Sequence, residues 1–171
     1  MKFYTGIGSR ETPPGVEPMI QEICTFLNKL EYTLRSGGAP GADSKFETNF
    51  LGEKEIYLPW KGFNGNKSDL FLDSMDIEIV DKARQIAKEH HPSWNNLSEP
   101  AKKLMTRNTF QVLGKDLKSP SKFVVCWTQG GGIKGGTGQA MRISKSLNVP
   151  IFNLFNKDSM YKLKIFVNSI I

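Results

Sequence analysis

At 171 residues the chain is long enough for one compact domain with its own core and too short for two ordinary ones. A hydrophobic content of 39% with charges spread along the chain excludes a disordered or fibrous class, and no apolar run reaches the roughly 18 residues that a membrane span needs. A formal net charge of +6, without a block of consecutive basic residues, tilts the partner class toward anions such as nucleotides or nucleic acid.

The opening "MKFYTGIGSR" lacks the pattern of a secretory signal, so a cytoplasmic location is expected. In chain order, "KFYTGIG" reads as a strand ending in glycines, and "VEPMIQEICTFLNKLE" as a helix with apolar residues at helical spacing. "YTLRSGG" is a second strand running into a glycine loop, "ADSKFETNFLG" a short helix closed by Gly52, and "KEIYLPW" a third strand stopped by Pro59. An irregular stretch, "GFNGNKSDLFLD", precedes two helical runs, "SMDIEIVDKARQIAKEHH" and "SEPAKKLMTRNTFQVLG", the second capped by Ser98 with Pro100 in its first turn. The strand "KFVVCWT", a glycine loop, a helix from about Thr137, the strand "VPIFNLF" and a terminal helix "DSMYKLKIFVNSII" complete the chain. Cys24 and Cys126 lie in apolar segments and read as packed thiols rather than as a disulfide framework.

Strands alternating with helices predict an α/β domain, a doubly wound and mainly parallel sheet of about five strands with helices on both faces. Ligands in that architecture sit outside the carboxyl ends of the strands. Three such ends carry glycines: "GIGSR" (Gly6 to Arg10), "SGGAPGAD" (Ser36 to Asp43) and "GGGIKGGTGQ" (Gly130 to Gln139). The third loop opens a helix, so free backbone N–H groups and the positive helix end would face the crevice while missing side chains let a phosphate approach. Candidate ligand-binding residues are therefore Gly8, Ser9 and Arg10 in the first loop, Ser36, Gly37, Gly38 and Asp43 in the second, and Lys134, Gly135, Gly136, Thr137 and Gly138 in the third. Asp43 reads either as a helix N-cap or as an acceptor for ribose hydroxyls. Trp60, beside Lys61 and Phe63, offers a wall on which a base could stack or, equally, a cover for the core. Arg107 and Gln111 share a helix face at i, i+4 spacing, with Leu104, Phe110 and Leu113 as the expected buried stripe. The adjacent His90 and His91 have a poor metal-ligand spacing, and neither a metal nor a cofactor is expected.

The glycine pattern is neither a dinucleotide fingerprint nor a P-loop, because "GIGSRE" lacks the third glycine of GxGxxG and no GxxxxGK[ST] occurs. Taken together, "RSGGAPGAD", "KFVVCWT" and "GGTGQAMRISKSLNVPIFNL" resemble the SLOG superfamily, which includes DNA-processing proteins of the DprA/Smf type, LONELY GUY (LOG) phosphoribohydrolases and nucleotide-sensing domains. The resemblance runs from Tyr4 to Leu154 and implies a Rossmann-like fold, a single domain over 1–171 with a helical insertion at about 64–117, and a homodimer as the default. It would also suit a phage or mobile-element protein. LOG enzymes carry a PGGxGTxxE pattern whose glutamate acts in N-glycoside cleavage, but here Ala140 falls at that position, leaving Asp43 or Glu47 as the candidate catalytic carboxylates if the protein is an enzyme. The DprA-type loop SGxAxGID is matched through Asp43, which implies single-stranded DNA as a partner, although no row of aromatics interleaved with arginine is evident. The favoured reading is a binder of an adenine-nucleotide or ADP-ribose-like molecule, as sensor, carrier or sequestering protein. Its alternatives are a LOG-like phosphoribohydrolase and a DprA-like recombination mediator.

Overall fold

The computed structural model describes residues 1–171. Six strands form one parallel sheet: β1 (Phe3–Gly8), β2 (Thr33–Ser36), β3 (Lys54–Leu58), β4 (Leu70–Phe71), β5 (Val124–Trp127) and β6 (Ile151–Asn153), in the order β4-β3-β2-β1-β5-β6. The expectation of about five strands is corrected by β4. Its two residues pair with Tyr57 and Leu58, and they lie in the stretch read as irregular because so short a strand carries no alternation.

The helices are α1 (Glu17–Lys29), α2 (Ala42–Asn49), α3 (Ile77–His90), α4 (Glu99–Leu113), α5 (Gly135–Ser146) and α6 (Ser159–Ser169). Alternate residues of each strand face opposite layers. Tyr4, Leu34, Val125 and Trp127 pack against Ile20, Ile23 and Leu27 of α1, Phe46 of α2, and Leu163 and Val167 of α6. On the other face Ile7, Val124 and Cys126 meet Val112 of α4 and Ala140, Met141 and Ile143 of α5. Burial raises both thiols, Cys24 to about 11 and Cys126 to about 12, so both stay protonated and act as small apolar groups. No helix is long and apolar enough to cross a membrane.

Local signals set the ends that matter for the site. Asp76 caps α3 by accepting from the N–H groups of Glu78 (2.9 Å) and Ile79 (3.3 Å), and Ser98 Oγ caps α4 by accepting from Ala101 (3.3 Å). Helix α5 starts at Gly135, two residues before the predicted Thr137, because Gly138 N–H already donates to Lys134 O at 2.8 Å. Trp94 packs with Ala87 and Met105 between α3 and α4.

Candidate functional site

Chain order reverses between β1 and β5. The chain steps outward from β1 through β2, β3 and β4 on one side and through β5 and β6 on the other, so the carboxyl ends of β1 and β5 diverge. A cavity of about 470 Å³ opens there, within the size range of small-molecule sites. Residues Ile7 to Glu11 line it from β1 and its following loop, Thr128 and Gln129 from the end of β5, and Lys134 to Thr137 from the start of α5. The second loop and α2 contribute Ala39 and Asp43, and α4 contributes Leu104, Met105, Arg107, Asn108 and Gln111.

Arg107 is 4% exposed and joins several of these elements. Its Nη1 donates to Gly37 O and to Tyr57 O (3.1 Å), and its Nε donates to Asn108 Oδ1 (2.8 Å). Asn108 Nδ2 in turn donates to Gly136 O at 2.8 Å, so one residue pair of α4 ties the ends of β2 and β3 to the start of α5. The second terminal nitrogen, Nη2, has no protein partner among these bonds. The side-chain amide of Gln111, one turn further along α4, is likewise bonded by no protein group, yet the residue is 2% exposed and lines the cavity.

Asp43 is not the N-cap that its position in the sequence allows. The cap of α2 is Gly41, while Asp43 sits in the first turn and reaches back. Its Oδ1 accepts from Gly8 N–H and its Oδ2 from Ala39 N–H, both at 3.3 Å, which locks the first loop to the second. Burial raises its pKa from 3.8 to about 6, against the opposing pull of Arg107 and of the two N–H groups. Burial also lowers Arg107 to about 10. Both groups are therefore charged at neutral pH, at the floor of one cavity.

Two glycines of the second loop are required by close approach. A Cβ on Gly37 would meet Arg107 Nη1 at 2.6 Å, Asp43 Oδ2 at 2.7 Å and the Gln111 amide nitrogen. The three polar heads thus converge on the space that its missing side chain leaves. Gly41, at φ +85, lies under the backbone of the first loop, where a Cβ would meet Arg10 O at 2.6 Å.

At the other end of the cavity, the N–H groups of Gly135, Gly136 and Thr137 precede the first intrahelical bond of α5 and have no side-chain cap. Lys134 stands at the N-cap position, so this rim is positive through the helix dipole and the Lys134 ammonium, while Arg10 lines the cavity with its guanidinium 6.0 Å from the ring centre of Phe63, the ring that Arg107 also faces at 5.4 Å.

The structure thus brings together Gly8, Ser9, Arg10, Asp43, Arg107, Lys134, Gly135, Gly136 and Thr137 on one cavity wall. It places the other candidates elsewhere, with Gly37 behind the polar heads of Arg107, Asp43 and Gln111 and not itself lining the cavity. Ser36 is buried, with its hydroxyl donating to Gly6 O at 2.6 Å inside the sheet. Gly38 lines a separate shallow depression, and Gly138 continues α5 behind the open N–H groups. Trp60 packs edge-on to Phe63 over Ala39, Ile56 and Leu58, covering the core rather than walling the cavity. Glu47 faces outward from α2 to accept from Asn66 Nδ2 (2.9 Å), away from the cavity, so it is not placed to attack anything bound there. Ala140 is fully buried against Ile7 and Val124, pointing into the core.

Met105 and Thr128 carry no signal in the sequence, and Leu104 is legible only as part of an apolar stripe. Leu104 and Met105 reach the cavity because the inward face of α4 is wider than one apolar stripe, and Thr128 reaches it only because β5 ends beside β1. Gln111 was legible through its i, i+4 relation to Arg107, which marked a shared face without saying that the face turns inward.

No protein-family model and no curated protein matches the chain. Among solved structures it is similar to DNA processing protein A from Helicobacter pylori, a structure described for that protein's unique single-stranded DNA binding mode. The TM-score is 0.50 at 15% identity, over 90% of this chain and 64% of that one. This likeness shows a Rossmann-like α/β fold, and the chain spans less than two thirds of the neighbour's length.

Proposed function

We propose that this protein binds a nucleotide at the divergence of β1 and β5, with the phosphate at the start of α5. The observation that carries the reading is the division of one cavity into two zones: three open N–H groups with Lys134 at one end, and the unbonded ends of Arg107 and Gln111 beside Asp43 at the other. An anion is favoured at the first zone by the helix terminus and by Lys134. The second zone offers hydrogen-bonding groups suited to the rest of a nucleotide, and Ile7, Leu104 and Met105 add apolar surface for a base or sugar.

A second reading, single-stranded DNA, is favoured by what the H. pylori neighbour binds and by the net charge of +6. One panel separates the two. Thermal shifts are measured with nucleoside monophosphates, ADP-ribose and a short oligodeoxynucleotide at two salt concentrations. A small nucleotide held by backbone N–H groups gives a stabilisation little changed by salt, about 2.7 kcal/mol at a hundredfold excess over Kd. Binding of the oligonucleotide alone, lost steeply as salt rises, overturns the nucleotide reading in favour of DNA.

A further inference from the structure

We infer that the cavity selects ribonucleotides over deoxyribonucleotides, with Asp43 and Gln111 receiving the free hydroxyls of the ribose; this rests on the nucleotide reading above. Asp43, buried and ionised above about pH 6, offsets the charge of Arg107 at the cavity floor, so the floor does not of itself draw a second phosphate. Each Asp43 oxygen accepts only one N–H bond, from Gly8 or Ala39, and a carboxylate oxygen can accept a second. Asp43 therefore needs a donor from the ligand.

Gln111 narrows the class. Its side chain, 2% exposed and free of protein partners, presents a carbonyl and an amide that together accept and donate. A hydroxyl both donates and accepts, so a pair of neighbouring hydroxyls matches a carboxylate beside an amide, and a bare methylene matches neither. Arg107 Nη2 adds a further donor at the same floor. The missing side chain at Gly37 is what lets these groups sit together: Arg107, Asp43 and Gln111 all crowd the point where it would stand. With an anion cradle at the start of α5, the ligand must carry a phosphate at one end and vicinal hydroxyls further along, as a ribose 5′-phosphate does.

The experiment measures Kd by calorimetry for the four ribonucleoside 5′-monophosphates, each against its 2′-deoxy and 3′-deoxy counterparts. At least one ribonucleotide should bind roughly tenfold or more tightly than a counterpart lacking a hydroxyl, since a site built around a hydroxyl is left with unpaired groups by its loss. Asp43→Asn should narrow that preference to within about threefold. Gln111→Leu, whose side chain makes no bond that the fold uses, should narrow it as well and guards against failure of the first variant to fold. Equal binding of the ribo and deoxy forms by the wild-type protein overturns the inference and leaves the nucleotide reading intact. An undiminished preference in both variants overturns the assignment of these residues, and binding of none of the monophosphates overturns both readings.

Discussion

Asp43 and Arg107 face the same cavity, both at 4% exposure, without forming an ion pair within 4.0 Å. Each is held by backbone instead: Asp43 by the N–H groups of Gly8 and Ala39, Arg107 by the carbonyls of Gly37 and Tyr57. A buried carboxylate and guanidinium that satisfy loops rather than each other keep a gap between them, and a ligand can complete the hydrogen bonding that the protein leaves open.

The first prediction concerns pH. The folded-state pKa of Asp43, about 6, lies above its ordinary value of 3.8, so between these values the unfolded chain has lost a proton that the folded chain still holds. Stability from this group is fully present below about pH 3.8 and is lost as pH rises through about 6, a loss of about 3 kcal/mol. Asp43→Asn should flatten that part of the profile, measured by urea unfolding between pH 4 and pH 7. A variant profile parallel to that of the wild type would show that Asp43 does not titrate in this window.

A second prediction follows from the part Arg107 plays. Arg107→Ala leaves the carbonyls of Gly37 and Tyr57 without their donor and should cost about 3 kcal/mol. It should also push the Asp43 pKa higher, because Arg107 is the chief influence holding it down. In Arg107→Ala the falling limb of the stability profile should therefore extend to higher pH. A destabilised protein whose limb does not move would mean that the arginine acts through packing alone.

Legibility in the sequence divided along physical lines. The alternation of elements rests on local periodicity, so the parallel sheet and its two helical layers could be read, whereas β4 could not, being two residues that exist only through pairing with β3. Glycine clusters at strand ends pointed to the first and third loops, and residues from both line the cavity. The second loop was read as a lining surface, but Ser36 and Gly38 face the sheet and a separate depression, and only Ala39 and Asp43 reach the cavity. Trp60, open in the sequence between a base-stacking wall and a cover for the core, is the cover, and Glu47 turns away from the cavity. Sequence distance from a strand end does not say which way a side chain turns, and both pack toward the Phe63 to Asn66 turn.

The third prediction tests the crowding at Gly37. Gly37→Ala puts a methyl within 2.7 Å of Asp43 Oδ2 and 2.6 Å of Arg107 Nη1, so the floor must spread. The expected cost is about 1–3 kcal/mol of stability, together with a loss of nucleotide binding larger than that of a rim substitution such as Lys134→Ala. Calorimetry on both variants checks the order. If Lys134→Ala loses more, the floor contributes less to recognition than the rim.

The last prediction concerns Ala140, where LOG-type enzymes carry a glutamate. If that residue alone separated this protein from those enzymes, Ala140→Glu would be tolerated and would place a carboxylate in the cavity. The geometry argues against this. Ala140 is fully buried beside Ile7, Val124, Met141 and Ile143, on the side of α5 that packs against the sheet, and it is not part of the cavity wall. A glutamate there must be taken up among apolar side chains as a neutral acid or force α5 outward, at a cost of several kcal/mol, on the order of 3–5. The variant should unfold at a markedly lower urea concentration and gain no N-glycoside hydrolysis, followed as release of free base from nucleoside monophosphates. Normal stability together with release of base would instead mean that α5 rotates to bring position 140 into the cavity.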